Sequence, residues 1–310
     1  MNFLVTGGAG FIGSNIVEHL LEMGENVTIL DNFSTGRRSN IAELVKHKKC
    51  KLIEGDIRSY HIVRSAVENV DYILHQGALP SVPRSVNDPL TTNEVNIVGT
   101  LNVLQAAKET NVKRLVFASS SSIYGDSEEL PKHTDMRINP LSPYALSKYT
   151  GERYCQMFYN LYGFETVCLR YFNVFGPKQD PTSQYSAVIP KFITAIMEDE
   201  KPTIYGDGTQ SRDFTFIENV VSANIKACFA KNAPGNVMNI ACNDRITLVE
   251  LVDKINIILG KAIEPDFSSP RLGDIKHSYA SIEKAKKLID YEVKKDFSHG
   301  LEETIDHFKI

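Results

Sequence analysis

Short apolar runs alternate with amphipathic segments along the first half of the chain. The apolar runs, rich in Val, Ile, Leu and Phe, predict six strands, at residues 2–6, 26–30, 51–57, 71–78, 114–118 and 165–170. Between them, apolar side chains recur at helical spacing, most clearly at residues 14–23, 101–110 and 143–162. Strands that alternate with helices build a parallel sheet with right-handed crossovers. The pattern therefore predicts an α/β protein with a doubly wound parallel sheet.

The alternation weakens after Asn173, where prolines divide the chain into shorter elements. The pattern there predicts a short strand at 203–205 and helices at 186–197, 282–290 and 298–308. We expect these elements to form a second, smaller domain.

A further apolar run at residues 236–241 predicts a strand that returns to the first sheet. The two domains are therefore expected to interleave without a clean linker. Residues 1–173, joined by residues 214–242, form the larger domain in this interpretation. The smaller C-terminal domain spans residues 174–310.

Composition narrows the class of protein. The net charge of −4 and the lack of a long basic run argue against nucleic acid as a partner. The five cysteines are scattered without a Cys-x-x-Cys pair, which is typical of thiols in a reducing compartment, and no metal site is expected. The sequence shows no signal-peptide pattern and no apolar run near the roughly 18 residues of a membrane span. These features predict a cytoplasmic protein.

A glycine motif separates the first predicted strand from the first predicted helix. Gly8, Gly10 and Gly13 have the G-x-G-x-x-G spacing of a dinucleotide-binding turn, in which the backbone approaches a pyrophosphate at a helix N-terminus. Asp31 ends the second strand 18 residues after Gly13, where a carboxylate accepts from both ribose hydroxyls and repels a 2′-phosphate. Asp56 ends the third strand and suits an adenine amino group. These residues predict a Rossmann-type sheet that prefers NAD to NADP.

A second group of polar residues follows the fifth strand. Tyr144 and Lys148 are four residues apart, so they share one face of a helix, and residues 119–122 are four consecutive serines. A lysine ammonium beside a phenol lowers the phenol pKa from its usual value of about 10. Such a set can move a proton while a hydride leaves or joins an alcohol carbon. The plainer interpretation is a solvated helix pair and a polar turn, but all these residues fall at or beyond strand ends, where ligands bind.

Seven motifs in a fixed order identify the chain with a known group. They are residues 6–13 (TGGAGFIG), 31–33 (DNF), 55–57 (GDI), 75–78 (HQGA), 119–125 (SSSSIYG), 144–148 (YALSK) and 170–173 (RYFN). With this set the chain resembles the extended short-chain dehydrogenases/reductases, and within that group the UDP-sugar 4-epimerases. The resemblance covers essentially the whole chain.

The resemblance implies a tightly bound NAD that is regenerated in each turnover. The residues that it assigns to the cofactor are Gly7, Gly10, Phe11, Ile12, Gly13, Asp31, Asn32, Ser34, Thr35, Gly36, Asp56, Ile57, Gln76, Gly77, Ala78, Asn96, Tyr144, Lys148 and Tyr171. The residues that it assigns to the UDP-sugar are Arg84, Ser120, Ser121, Ser122, Tyr144, Asn173, Ala187, Val188, Thr203, Tyr205, Arg212, Arg271, Asp274 and Ser278. Arginines from two separate segments, Arg212 and Arg271, suit the oxygens of a diphosphate, although an arbitrary arginine is usually a surface residue.

The same resemblance implies a mechanism. Tyr144, as phenolate, would take the proton of the sugar 4-hydroxyl, while Ser120, assisted by Ser121, holds that oxygen. Lys148 would hold the nicotinamide ribose and keep the pKa of Tyr144 low. Oxidation at C4, rotation of the 4-keto sugar and re-reduction on the opposite face would invert C4. The serine loop carries no carboxylate, unlike the dehydratases and xylose-type decarboxylases of the group, which favours epimerisation.

The substrate is a finer question. Ser278, seven residues after Arg271, occupies the position at which related epimerases exclude N-acetyl sugars with a bulky tyrosine, and residues 81–85 (SVPRS) resemble a segment of the N-acetyl enzymes. UDP-GlcNAc/UDP-GalNAc and UDP-Glc/UDP-Gal interconversion are both expected. A UDP-glucuronate or UDP-xylose-type epimerase and a decarboxylase remain alternatives, with Arg84 as the candidate cation for a carboxylated sugar. A non-catalytic nucleotide-sugar-binding protein is a more remote alternative.

The apolar surface of two long helices predicts the oligomeric state. Residues 94–110 and 143–162 carry more apolar side chains than one sheet face needs, namely Val98, Leu101, Leu104, Met157, Phe158 and Leu161. Related enzymes pair these helices across a two-fold axis. We therefore expect a homodimer through a four-helix bundle.

Overall fold

The computed structural model describes residues 1–181, 188–269 and 276–309. The strands are β1 (Asn2–Thr6), β2 (Asn26–Asp31), β3 (Cys50–Glu54), β4 (Tyr72–His75), β5 (Arg114–Ser120), β6 (Glu165–Tyr171), β7 (Val174–Phe175), β8 (Thr203–Tyr205), β9 (Ser211–Arg212), β10 (Thr215–Phe216), β11 (Val237–Ile240), β12 (Ile246–Thr247) and β13 (Asp266–Ser268).

The α-helices surround these strands. They are α1 (Phe11–Glu22), α2 (Arg38–Ile41), α3 (Tyr60–Ala66), α4 (Val82–Asn87), α5 (Pro89–Asn93), α6 (Gly99–Glu109), α7 (Pro143–Tyr162), α8 (Val188–Met197), α9 (Ile217–Phe229), α10 (Leu248–Leu259), α11 (Glu283–Ile289) and α12 (Phe297–Phe308). A π-helical turn, Glu94–Val98, leads into α6, and a 3₁₀ turn, Ser121–Tyr124, follows β5. In the described part of the chain, no helix has the length and apolarity to cross a bilayer.

Seven strands form one parallel sheet in the order β11-β6-β5-β4-β1-β2-β3. This order confirms the predicted doubly wound sheet. The chain moves outward from β1 in one direction through β2 and β3, and in the other through β4, β5 and β6. The carboxyl ends of β1 and β4 therefore open onto a crevice where the strand order reverses, which is where α/β proteins of this kind bind ligands.

Both faces of the sheet are buried, and alternate side chains enter two separate hydrophobic clusters. On β5, Val116 and Ala118 enter one cluster, whereas Leu115 and Phe117 enter the other. A strand buried on both faces has an almost continuous apolar sequence, because its two sets of side chains both meet helices. This explains why the strands were recognisable as unbroken apolar runs.

Most predicted elements lie where the pattern placed them. Residues 203–205 and 143–162 have the predicted bounds, and the run at 236–241 forms β11, which pairs with β6 at the sheet edge. The runs at 51–57 and 71–78 end earlier than predicted, at Glu54 and His75. Their last residues leave the sheet to form the loops that surround the crevice.

Local sequence signals define the helix that carries Tyr144 and Lys148. The hydroxyl of Ser142 accepts a hydrogen bond from the backbone N–H of Ala145 (3.1 Å), and a proline occupies the first helical position. Gly163 ends the helix in the left-handed conformation, at φ 67°. These caps orient α7 so that it begins beside the carboxyl end of β5.

Candidate active site

The turn between β1 and α1 requires glycine because it packs directly on the loop after β4. Gly7 has φ 67°, and a Cβ atom there would lie 2.8 Å from the Cα of Gly77. A Cβ atom on Gly13 would overlap the carbonyl of Gly7. Among the described residues no side chain caps the N-terminus of α1, where Gly10 is the N-cap. The turn therefore presents the first-turn N–H groups of a helix at close range, an arrangement suited to a pyrophosphate.

A cavity of about 770 Å³ opens in front of this turn, at the carboxyl ends of the strands. Every residue predicted for the cofactor except Asn96 lines it: Gly7, Gly10, Phe11, Ile12, Gly13, Asp31, Asn32, Ser34, Thr35, Gly36, Asp56, Ile57, Gln76, Gly77, Ala78, Tyr144, Lys148 and Tyr171. The set comes from six chain segments. The fold therefore brings to one cavity the residues that the sequence only indicated separately.

Asn96 differs from its prediction. Its side chain is 2% exposed, and its carboxamide bonds to the backbone N–H (2.7 Å) and carbonyl (3.1 Å) of Leu79 and to the hydroxyl of Ser147 (3.0 Å). A carboxamide used in this way joins the loop after β4 to α7. Asn96 therefore supports two parts of the cavity wall and does not face the cavity itself.

The acid at the end of β2 is buried and held by the backbone. The carboxylate of Asp31 accepts from the N–H groups of Ala9 (2.9 Å) and Phe33 (2.8 Å). Burial raises the pKa of Asp31, and these two hydrogen bonds oppose the rise. A carboxylate has about four lone-pair sites, so Asp31 keeps acceptor capacity toward the cavity. Asp56, the acid predicted for adenine, lines the same cavity, and hydrogen bonds from Arg58 and Asn32 (2.9 Å) lower its pKa.

Tyr144 lines the cavity close to the end of β5. Burial raises the pKa of its phenol, and a hydrogen bond with the hydroxyl of Ser120 opposes that shift. Ser120 in turn accepts from the N–H (3.2 Å) and the hydroxyl (2.9 Å) of Ser122. Ser121 begins the 3₁₀ turn next to them. Ser120 is therefore close enough to the phenol to oppose the effect of burial on its pKa, as the predicted pairing of the serine loop with Tyr144 requires.

Lys148 behaves differently from the expectation. Its Nζ donates to the carbonyl of Ala118 (2.8 Å) and lies 6.0 Å from the centre of the Tyr144 ring. Burial lowers the pKa of Lys148 to about 8. The pKa of Tyr144 is set by burial and by Ser120, and the expected lowering by Lys148 is not among its causes in this structure. Helix α7 places Tyr144 and Lys148 on one face, but the carbonyl of Ala118 on β5 determines where the Lys148 ammonium points.

A second cavity, of about 280 Å³, lies between α8 and the short strands β8 and β9. Five predicted substrate residues line it: Asn173, Val188, Thr203, Tyr205 and Arg212. Sequence reasoning missed eight others that also line it: Lys191, Phe192, Gln210, Phe214, Val174, Phe175, Ile189 and Leu248. Helical spacing from Val188 would have indicated the first two, because positions three and four residues on share a helix face.

The remaining substrate predictions fall at the edges of these cavities. Arg84 lines the larger cavity, from the short helix α4. The hydroxyl of Ser278 lies 3.5 Å from the amide nitrogen of Asn173, and its backbone N–H donates to the carbonyl of Ser211 (3.0 Å). The predictions at Ala187, Arg271 and Asp274 lie outside the described residues.

The larger cavity is also lined by polar residues that the sequence did not single out, among them Arg37, Gln179 and Asp180. Ser119, the first residue of the serine run, lines it as well. Arg37 follows β2 and forms an ion pair with Asp180, which follows β7. Residues 143 positions apart gave no sequence signal of this contact. The pair joins the loop after β2 to the segment after β7.

The chain is similar over nearly its whole length to known proteins. A sequence model described as the NAD dependent epimerase/dehydratase family matches residues 3–241. A putative UDP-glucose 4-epimerase of Methanocaldococcus jannaschii is 37% identical over 308 residues, which are 99% of this chain and 98% of that protein.

Solved structures agree with this assignment. The structure of a UDP-N-acetylglucosamine 4-epimerase from Methanobrevibacter ruminantium, in complex with UDP-N-acetylmuramic acid, superposes with a TM-score of 0.95 at 40% identity, covering 99% of this chain and 98% of that one. A UDP-glucuronic acid 4-epimerase from Bacillus cereus, in complex with UDP-glucuronic acid and NAD, has a TM-score of 0.92 at 32% identity and covers 100% of this chain and 99% of its own. This chain belongs to the NAD dependent epimerase/dehydratase family.

Proposed function

We propose that this protein is an NAD-dependent 4-epimerase of UDP-hexoses. The observation that carries the proposal is the hydrogen bond between Tyr144 and Ser120, at the wall of a cavity that the dinucleotide turn also lines. An acid–base pair at this place can act on a hydroxyl whose carbon faces the cofactor. The serine turn offers hydroxyls and no carboxylate, which suits oxidation and reduction at one carbon.

The larger cavity fits NAD. The uncapped start of α1 and its glycine cradle would hold the pyrophosphate, and Asp31 would accept from the adenosine ribose. When bound, NAD supplies reversible hydride acceptance at the sugar carbon. Its nicotinamide would add a positive charge near Tyr144. Residues 1–173 with 214–242 hold the cofactor in this proposal, and the smaller domain holds the nucleotide-sugar.

Different side chains hold the sugar 4-oxygen and transfer its proton. The hydroxyl of Ser120 holds the sugar 4-oxygen beside the phenol, with Ser121 next to it in the turn. Tyr144 accepts the proton as the carbon is oxidised and returns it after re-reduction. Because burial raises the pKa of Tyr144, its phenolate needs the Ser120 hydrogen bond and a nearby positive charge. The nicotinamide would supply that charge, while Lys148, whose pKa is about 8, lines the same cavity and would hold the nicotinamide ribose.

The smaller cavity suits a nucleoside diphosphate. It is lined by the cations of Arg212 and Lys191 and by the aromatic rings of Phe192 and Tyr205. Guanidinium and ammonium groups bind phosphate oxygens, and aromatic rings pack on a base. The small side chain of Ser278 beside Asn173 leaves room for an acetamido group. We therefore propose UDP-GlcNAc/UDP-GalNAc as substrates together with UDP-Glc/UDP-Gal.

A uronate substrate is the second candidate. The cation of Arg84 lines the larger cavity, where it could meet a carboxylated sugar. The Bacillus cereus relative that binds UDP-glucuronic acid is 32% identical to this chain. The favoured substrate remains a UDP-hexose whose sugar carries no carboxylate, since the relative with 40% identity is named a UDP-N-acetylglucosamine 4-epimerase.

We also propose that the protein is a homodimer through α6 and α7. Met157, Leu161 and Tyr162 are exposed on α7, and Val98 is exposed just before α6. Leu104 and Phe158, which were predicted to face a partner, are instead buried in the core of the subunit. The apolar surface available for pairing is therefore narrower than the sequence indicated.

The decisive experiment is an assay of the purified protein on UDP-GlcNAc, UDP-Glc and UDP-glucuronate, with products separated by chromatography. The Tyr144→Phe variant should lower kcat by about 10²–10⁴-fold while still binding NAD. Tyr149→Phe, which removes a hydroxyl from the same helix, is the matched control. Conversion of UDP-glucuronate alone would replace the hexose proposal, and binding of NAD and UDP-sugar without turnover would indicate a non-catalytic binding protein.

A further inference from the structure

A chain of buried hydrogen bonds begins at Ser119, in the wall of the larger cavity. The hydroxyl of Ser119 donates to Oε1 of Glu152 (2.5 Å). The same carboxylate forms a two-point ion pair with Arg170, from Nε to Oε1 (2.8 Å) and from Nη2 to Oε2 (2.8 Å). These three residues belong to β5, α7 and β6, so the ion pair joins three elements beneath the site.

The chain continues from Arg170 to the far end of the serine turn. Nη1 of Arg170 donates to the hydroxyl of Tyr124 (2.7 Å), and that hydroxyl donates to Oδ1 of Asn239 on β11 (2.6 Å). The amide of Asn239 then donates to the carbonyls of Lys132 (2.9 Å) and Ser281 (3.3 Å). The hydrogen-bonded chain therefore extends from the cofactor cavity to two segments that flank the smaller domain.

The ion pair in this chain is fully buried. Glu152 is 1% exposed and Arg170 is 4% exposed. Removing two charges from water costs several kcal/mol per ion, and the cost is recovered only when geometry and additional hydrogen bonds are good. Here the carboxylate accepts three hydrogen bonds and the guanidinium donates three, so the bond directions are fixed. Such a pair contributes defined geometry more than it contributes stability.

Two members of this chain, Ser119 and Tyr124, flank the serine turn. Ser119 immediately precedes Ser120, and Tyr124 is the last residue of the 3₁₀ turn that follows. Glu152 lies eight residues after Tyr144 on α7, which is two helical turns along the same face. The turn that carries Ser120 is thus attached at both ends to groups fixed relative to the helix that carries Tyr144.

We propose that Tyr124 is a positioning residue, which together with Ser119 and the Glu152–Arg170 pair clamps both ends of the serine turn and holds the Ser120 hydroxyl against Tyr144. The inference rests on the proposed epimerase reaction. Tyr124 is 1% exposed and does not line the cavity, so it acts through the turn and not through contact with a ligand. Loosening the clamp should weaken the hydrogen bond from Ser120, which favours the phenolate of Tyr144.

The test removes one hydroxyl from the clamp. Tyr124→Phe keeps the ring that packs on Phe172 (centroids 6.1 Å apart) and removes only the hydrogen bonds to Arg170 and Asn239. The matched control is Tyr291→Phe, which also removes a buried hydroxyl, bonded to the carbonyl of Ala241 (2.9 Å), away from the serine turn.

The primary readout is the pKa of Tyr144, from NMR of protein containing tyrosine labelled at Cζ and loaded with NAD. Tyr171 lines the same cavity and is labelled too, so the Tyr144 signal is assigned by its loss from the spectrum of the Tyr144→Phe protein. We expect Tyr124→Phe to raise the pKa of Tyr144 by about half a unit or more, which lowers kcat about threefold or more at neutral pH. The KM for UDP-sugar should stay unchanged. Tyr291→Phe should lower the Tm without moving this pKa.

The outcomes separate this inference from the proposed function. If Tyr124→Phe lowers the Tm and leaves the pKa of Tyr144 unchanged, Tyr124 is only structural and the inference is wrong. If Tyr124→Phe does not fold, Ser119→Ala breaks the other end of the clamp and should shift the pKa in the same direction. If the wild-type protein has no turnover, the proposed function fails, while the NMR titration, with or without NAD, still measures the clamp.

Discussion

Gly151 of α7 packs directly on the ring of Phe117 of β5, and a Cβ atom at position 151 would overlap that ring. The contact lets the helix approach the sheet closely, one helical turn beyond Lys148. The position of the lysine ammonium relative to the end of β5 therefore depends on a glycine that contacts no ligand.

Replacing this glycine should damage both stability and function. Gly151→Ala is expected to lower the free energy of unfolding by about 1–3 kcal/mol, because the added methyl group displaces the helix or the Phe117 ring. Activity at a temperature where the variant is still folded should also fall, since Tyr144 and Lys148 move with the helix. Chemical denaturation measures the first effect. Arg153→Ala, on the exposed face of the same helix, should stay within about 0.5 kcal/mol of wild type. Wild-type stability of Gly151→Ala would contradict the tight contact.

Lys148 should reduce stability while it supports activity. Its pKa is about 8 in the folded protein, below the 10.5 of a free lysine, so the unfolded chain binds more protons between these values. The free-energy cost of burying the charged Lys148 is therefore fully present below pH 8 and disappears as the pH rises toward 10.5. Lys148→Met should therefore raise the free energy of unfolding at pH 7 by about 1–2 kcal/mol, after the lost bond to Ala118 is counted.

Two measurements check the Lys148 prediction. Denaturation of Lys148→Met and wild type at pH 7 and pH 10 should show a difference that shrinks at the higher pH. Turnover of the variant should be strongly reduced at both values. Lys231→Met, at an exposed position, should change neither quantity. A Lys148→Met protein that is less stable than wild type at pH 7 would show that the bond to Ala118 outweighs the cost of burial.

The ion pair between Arg37 and Asp180 should slow release of the dinucleotide. Both residues line the cavity, and the pair connects the two sides of its mouth. Asp180→Asn is expected to raise the NAD dissociation rate about two- to fivefold, a modest effect because both side chains are partly exposed. Stopped-flow fluorescence measures this rate. Glu54→Gln, which breaks the neighbouring exposed pair with Arg38 (2.6 Å), should leave it unchanged. An equal effect of both variants would point to net charge instead of the pair.

The oligomeric state can be tested at the exposed end of α7. Leu161 is 65% exposed, and Leu161→Glu would place a charge in the proposed dimer interface. Light scattering at micromolar concentration should show a dimer for the wild type and a monomer for this variant. Ile257→Glu is the control, because Ile257 is 79% exposed on α10, away from the proposed interface. A wild-type monomer would refute the proposed pairing.

Sequence patterns were sufficient for the features that depend on short-range geometry. The apolar runs indicated the strands of the sheet, because both faces of its central strands are covered. The glycine spacing of residues 8–13 and the acid at Asp31 indicated the dinucleotide turn, since a tight turn needs glycine within a few residues. Tyr144 and Lys148 could be paired because four residues are one helical turn.

Features that depend on contacts distant in the chain appeared only in the folded structure. The side chain of Asn96 links Leu79 to Ser147, and its position in the turn before α6 gave no sign of that. Lys148 points toward Ala118 because the end of β5 packs beside α7 and places that carbonyl within reach of the ammonium.

The remaining differences have the same origin. The hydrogen bonds of Tyr124 and the ion pair of Arg37 join residues far apart in the chain, whose spacing in sequence gave no sign of the contact. The sequence by itself determined which residues could do chemistry, because residue type and local spacing fix what a side chain can offer. The tertiary structure decided which of those groups meet, because strand order and register set the distances between chain segments.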